Sequence, residues 1–216
     1  MFSFLNPESK FMAAMSRIGD LLLLNLMFLI SCVPIITIGA ASTAMYTLCF
    51  RFDTDRERGL IKSYFAAFKE NFKQGTVLWL IILLCGATAC INIYIFYIMS
   101  GVIPFLYVLF LFLLVLVILI ASYTFPLLSQ FSNSNKSTLR NALILCLGYL
   151  PRSILIAGLN VLPFVMLLTN FYLFFNTAFI WISLYFSSAA YLNSILLKKV
   201  FAPYMPAEEH IEEDEE

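Results

Sequence analysis

The sequence predicts an all-α fold, a polytopic transmembrane helical bundle of about five spans with amphipathic helices on its cytoplasmic side. Three observations carry that prediction. Hydrophobic residues make up 62% of the 216-residue chain and the mean hydropathy is +0.91, while charged residues make up 12%, against roughly 25% in a soluble domain. The formal net charge is zero, yet the charges are segregated: none falls between Lys73 and Lys136, or between Arg152 and Lys198. The apolar runs so delimited come in lengths near the about 20 residues that a helix needs to cross a bilayer.

Residues 1–19 place Phe11, Met15 and Ile18 at i, i+4, i+7 spacing beside Lys10 and Arg17, the pattern of a short amphipathic helix lying in the interface. The first apolar run begins late and lacks a small-residue cleavage pattern, so it is expected to be retained and not removed as a signal peptide. Between Asp20 and Arg51 lie 30 residues without a charge. Pro34 removes a helix hydrogen bond, and Gly39, Ala40, Ser42 and Thr43 present small side chains that let another helix come close. Together these five residues form a candidate helix-packing or functional patch. The stretch reads as one kinked crossing over about 20–48, or as a re-entrant hairpin over 21–50. Residues 51–73 carry six basic side chains, which the positive-inside rule assigns to the cytoplasm. A single crossing, the favoured reading, leaves Lys10 and Arg17 outside; a hairpin brings them inside.

Ile61, Tyr64, Phe65, Phe68 and Phe72 recur at helical spacing, with Lys62, Lys69, Glu70 and Lys73 on other faces. Tyr64, Phe65, Phe68, Lys69, Phe72 and Lys73 are therefore a candidate partner-docking helix, the plainer alternative being a helix resting on anionic headgroups. Gly75 and Thr76 are expected to end it, and the second span covers about 77–99. There Gly86 and Cys90, with Cys85 and Ala89, form a small-residue face suited to the patch after Pro34. The third span, about 102–125, is uniformly apolar, is expected to face lipid, and stops at Pro126. Ser137 is the expected N-cap of an inner-surface helix ended by Pro151, which leaves Arg152 at the rim, where its charge is tolerated. The fourth and fifth spans cover about 153–171 and 177–197, closed by Lys198 and Lys199. Residues 63–84 and 141–162 echo each other weakly as helix, breaker and span. Residues 201–216, rich in Glu from Glu208 on, read as a disordered acidic tail, and Lys198 and Lys199 before it place the C-terminus in the cytoplasm.

The available chemistry is sparse. The five cysteines show no Cys-x-x-Cys spacing, and the one histidine, His210, lies in the tail, so the cysteines read as small buried hydrophobes. No His-Glu-x-x-His, no paired aspartates within spans and no phosphate-binding glycine loop occurs. No catalytic, metal or cofactor residue is assigned, no nucleic-acid partner is implied, and an enzyme is not expected. The polar side chains at depth, Asn25, Thr37, Asn92, Asn160 and Asn193, read as helix-to-helix hydrogen-bonding groups.

The run from Asp20 to Asn25, the stretch Pro34-Ile35-Ile36-Thr37-Ile38-Gly39-Ala40-Ala41-Ser42-Thr43-Ala44-Met45-Tyr46, the helix holding Phe65, Phe68, Lys69, Asn71 and Phe72, and Asn141-Ala142-Leu143 together resemble the YesL family, also called DUF624. The resemblance extends over nearly the whole chain apart from the tail. It implies a bacterial, largely Gram-positive, multi-pass protein of the cell membrane whose biochemical function is not established. Its genes often lie beside carbohydrate ABC transporters and two-component regulators. An accessory role in sugar uptake or sensing follows, with an ABC sugar transporter or a sensor kinase as partner; a small-solute channel or facilitator acting alone is the alternative.

Overall fold

The computed structural model describes residues 10–52, 59–98 and 104–205, and all statements of contact concern these residues, side chains 10–14 and 104 excepted. Residues 1–9 of the interfacial helix expected over 1–19, part of the basic loop (53–58) and the tail beyond Met205 lie outside them. The described chain folds into helices: α1 (Lys10–Cys32), α2 (Ile38–Arg51), α3 (Leu60–Ile98), α4 (Pro104–Gln130), α5 (Asn135–Gly148), α6 (Leu150–Thr169), α7 (Phe171–Asn176), α8 (Ala178–Ile180) and α9 (Phe186–Phe201). A 3₁₀ turn, Ile35–Thr37, joins α1 to α2, and a π-helical segment, Trp181–Tyr185, joins α8 to α9. Among the described residues five helices are long and apolar enough to cross a membrane: Met15–Cys32, Leu60–Ile98, Phe105–Gln130, Leu150–Thr169 and Ala178–Tyr204. The multi-pass helical architecture is thus as the sequence predicts.

The first segment is a hairpin, not the single kinked crossing expected over about 20–48. Arg17 Nη1 donates to Tyr191 OH at 2.8 Å and the guanidinium lies 5.9 Å from that ring, while the Phe52 ring sits 5.8 Å from the same ring. A straight helix from residue 17 to residue 52 would hold them about 50 Å apart at 1.5 Å per residue. One tyrosine cannot bridge that distance, so the chain doubles back at 33–37. The turn is built to satisfy its backbone. Thr37 Oγ1 lies 2.6 Å from the Ser31 carbonyl oxygen and 2.7 Å from that of Pro34, and Trp79 Nε1 donates to the Ile35 carbonyl at 2.8 Å. The Ser31 carbonyl is one of those left open in the last turn of α1, while the Pro34 and Ile35 carbonyls belong to the turn and also accept the Thr37 and Ile38 N–H groups.

Two expected breaks are absent. Helix α3 runs unbroken through Gly75, so the amphipathic helix and the second span are one rod of 39 residues. A glycine inside a helix costs only about 1 kcal/mol, and here the missing Cβ is put to use, as described below. Helix α4 likewise passes Pro126 and ends at Gln130; the proline withholds one N–H from the Ser122 carbonyl four residues back, which weakens the helix without ending it. Its lipid-facing character holds in its first half, where Phe105, Val108 and Phe112 are exposed, but residues 122–128 are buried. The cap of α5 is Ser134, whose side chain accepts from the Ser137 N–H at 3.3 Å, and not Ser137 itself. The echo between 63–84 and 141–162 is not matched in backbone, since the second stretch bends at Tyr149 between α5 and α6 while the first is straight helix.

Helix α2 is the centre of the bundle. It packs on α1, α3, α4 and α9, and Gly39 to Phe50 are buried except Ser42, which is partly so. One end of the bundle is basic. There Gln74 Nε2 donates to the Asn133 carbonyl at 2.6 Å, and Phe201 meets both Phe50 and Phe131 at 6.0 and 5.6 Å. At the opposite end Phe96 stacks on Phe110 at 5.8 Å. Arg152 lies at the start of α6 with its guanidinium 5.7 Å from the Tyr149 ring.

Candidate functional site

The candidate patch after Pro34 divides into parts with separate duties. Pro34 is exposed at the hairpin tip beside Val33, Ile35 and Ile36. Gly39 and Ala40 lie where α2 crosses α3. A Cβ on Gly39 would overlap the Gly75 carbonyl oxygen and stand 2.6 Å from Trp79 Cβ, and a Cβ on Gly75 would stand 2.9 Å from Ala40 Cα. Only two glycines permit this backbone-to-backbone approach. The partner of the patch is therefore Gly75, which the sequence marks as a breaker. Gly86 looks toward Val117 of α4, and Cys85 and Cys90 are exposed, so that face does not meet the patch. Thr43 is buried with Oγ1 donating to the Gly39 carbonyl at 2.9 Å, and Ser42 is half-buried.

A chain of polar side chains crosses the interior beside α2. Asn193 Nδ2 donates to Tyr46 OH at 3.2 Å and to Asn160 Oδ1 at 2.9 Å; Asn160 Nδ2 donates to Ser122 Oγ at 3.2 Å; Ser122 Oγ donates to the Ile118 carbonyl at 2.9 Å. Four helices, α2, α9, α6 and α4, are thereby tied in one line. Asn193 is fully buried and its Oδ1 has no hydrogen-bond partner. The sequence flags Asn160 and Asn193 as polar groups at depth, but Tyr46 and Ser122 carry no signal that separates them from other hydroxyls. Among the described residues Asn92 bonds to the Thr88 carbonyl of its own helix.

Asn25 serves a different purpose. In the π-helical segment the hydrogen-bond register shifts by one residue, which leaves backbone groups unmatched where it rejoins α-helix. Asn25 Nδ2 donates to the Ile182 carbonyl at 2.6 Å, and its Oδ1 accepts the Ser187 N–H at 3.0 Å. One side-chain amide thus stands in for a missing peptide group in a medium without water.

The candidate docking helix is the first half of α3. Phe65 and Phe72 are exposed, as are Lys69 and Lys73, and Phe68 is half-buried against the core. Tyr64 departs from the expected face: it is fully buried. Its position, about 80–100° round the helix from Phe72 and Phe65, points it with Ala67 into the bundle. At the basic end, on α5, burial pushes the Cys146 thiol above its ordinary range. Among the described residues no three His, Cys, Asp or Glu side chains come together in a metal-binding group.

Residues 21–93 match the family model described as protein of unknown function, DUF624. Over that stretch, about a third of its length, the chain is similar to the DUF624 family. No curated protein and no solved structure matches the chain. The DUF624 match takes in the hairpin, the Gly39–Gly75 crossing and most of α3. The residues that complete its polar contacts, Ser122, Asn160, Ser187 and Asn193, lie beyond the matched stretch. Within the matched segment the buried Thr37, Thr43 and Thr47 hydroxyls bond to nearby carbonyls of the segment itself, whereas Asn25 and Tyr46 are paired by α9 and the π-helical segment before it.

Proposed function

We propose that this DUF624 protein is a non-enzymatic accessory or regulatory subunit of the bacterial cell membrane, working with a carbohydrate uptake system or its sensor. Its basic end faces the cytoplasm by the positive-inside rule, which sets the C-terminus on that side, and an ABC sugar transporter or a sensor kinase binds there. The observation that carries this reading is the first half of α3. Ile61, Phe65 and Phe72 form an exposed apolar line at i, i+4, i+11, with Lys62, Lys69 and Lys73 beside it, on a helix anchored through buried Tyr64 and Ala67. The sugar-uptake setting rests on the resemblance stated above. Purification from native membranes in gentle detergent should bring down a sugar permease or sensor kinase at stoichiometric yield, and Phe65→Ser with Phe72→Ser should abolish it. Recovery of the chain alone across several detergents overturns the reading.

A second reading, a small-solute facilitator acting alone, draws support from the polar line Tyr46, Asn193, Asn160 and Ser122 with its unpartnered Asn193 Oδ1. The line's other groups bond to one another, which favours a structural duty. Sugar flux into liposomes holding only this chain, lost in Asn193→Leu, would establish the facilitator instead.

A further inference from the structure

We propose that the acidic segment 206–216 of this chain folds back onto the basic end of its own bundle, into the groove between α5 and the end of α9. Charge is the first argument. Residues 1–205 hold all 13 basic residues and six of the 13 acidic ones; the remaining seven, Glu208, Glu209, Glu212, Glu213, Asp214, Glu215 and Glu216, sit in the last nine positions. A body of net +7 is followed by a segment of net −7, ignoring His210. The described basic side chains lie toward the same end of the bundle as Phe201, after which the segment begins.

The groove itself supplies the second argument. It encloses about 350 Å³ between α4, α5 and the chain just past α9, with Phe131, Asn141, Ile144, Leu145, Phe201 and Tyr204 in its walls. Ile144 is 53% and Tyr204 57% exposed, so apolar wall is left uncovered. Lys136, Arg140 and Ile144 follow one another at i, i+4, i+8, a line along one face of α5, and the two cations are exposed. No acidic residue occurs in α5. The segment has the complementary order: Ile211 is its one large aliphatic residue, set between Glu208-Glu209 and Glu212-Glu213. Tyr204 already lines the groove, and seven residues of extended chain reach up to about 24 Å, ample for Ile211 to meet Ile144 while the flanking carboxylates meet Lys136 and Arg140.

The test uses the full chain in neutral phosphatidylcholine nanodiscs, treated with a zero-length carbodiimide cross-linker that joins carboxylates to lysines. Peptides from an equal mixture of isotopically light and heavy protein separate links within a molecule from links between copies. Within-molecule links from residues 206–216 should concentrate on Lys136 over Lys62, Lys69 and Lys73, and should fall several-fold in 0.5 M salt as the Debye length shrinks. Ile211→Ser and, separately, Ile144→Ser should lower the Lys136 yield at least threefold while links to Lys198 and Lys199, close in sequence, stay unchanged. Links spread evenly over the lysines overturn the proposal, as do links found only between copies. Persistence of the Lys136 link in both Ser variants also overturns it, because the groove would then contribute nothing.

Discussion

Gly39 of α2 and Gly75 of α3 meet backbone to backbone, with no room for a Cβ on either. A side chain on Gly39 has nowhere to go, because the Gly75 carbonyl and the Trp79 Cβ are fixed by their helix. Gly39→Ala should therefore destabilise the bundle by about 1–3 kcal/mol, the range of overpacked cores, and Gly39→Leu should abolish folding. Gly86→Ala is the matched control: a Cβ there stands 3.9 Å from Val117 Cγ1, so it should be neutral or gain up to about 1 kcal/mol from reduced backbone entropy. Thermal unfolding in detergent, followed by monodispersity on size exclusion, distinguishes the two; equal behaviour of Gly39→Ala and Gly86→Ala refutes the crossing.

The hairpin fixes the sidedness of the chain ends. Reporter fusions or membrane-impermeant thiol labels at residues 10, 60, 137 and 200 should all report the same side, with residue 101 on the other. An opposite result at residue 10 would restore the single crossing.

Asn25 holds the π-helical segment and the start of α9 by three hydrogen bonds, to the Trp181 and Ile182 carbonyls and from the Ser187 N–H. Asn25→Leu, close in volume, should cost about 1–2 kcal/mol, in the range found for polar contacts between membrane helices, and should raise amide exchange at Ser187 specifically. Asn25→Asp keeps the acceptor for the Ser187 N–H but turns a carboxylate oxygen toward the Ile182 carbonyl, so it should be worse than leucine at neutral pH. Unchanged exchange at Ser187 in both variants would show the contact to be idle.

Burial disfavours the charged thiolate of Cys146. Its pKa is raised in the folded protein, so the native thiol should react with iodoacetamide several-fold more slowly at pH 8 than the same cysteine after unfolding. The sign for stability follows: the contribution is fully present below the ordinary value of 9.0 and is lost as pH rises above it. Cys146→Ala should flatten the stability profile above pH 9 if the thiol is responsible, and an identical profile argues against it.

The charge map made the long helices readable before any coordinates, because a bilayer forbids unpaired Lys, Arg, Asp and Glu at depth and so writes its boundaries into the sequence. Arg152 at the start of α6 and Lys198 near the end of α9 are of this kind. Direction of travel is not written there: hydropathy is the same for a segment that crosses and one that turns at Pro34, and the deciding contact, Tyr191, lies 174 residues from Arg17 and 139 from Phe52. Gly75 was misread for a related reason. Its effect on α3 alone is to weaken the helix, and only the approach of α2 turns that loss into an advantage. The buried face of Tyr64 was hidden because aromatic residues line both the core side and the exposed side of α3. The π-helical segment has no sequence signature at all, so Asn25 could be marked as polar but not given its partner.

The contact between Asn25 and Ser187 joins positions 162 residues apart, and it bears on the order in which the protein is made. Helix α1 leaves the ribosome long before α9, and it must wait in the bilayer with its amide unengaged while the intervening helices are placed. The last span, for its part, arrives with the Ile182 carbonyl and the Ser187 N–H open and no water at hand to cover them. Those two groups are covered when the last span packs on the first helix, so this contact closes the bundle like a ring, joining its final segment to its opening one.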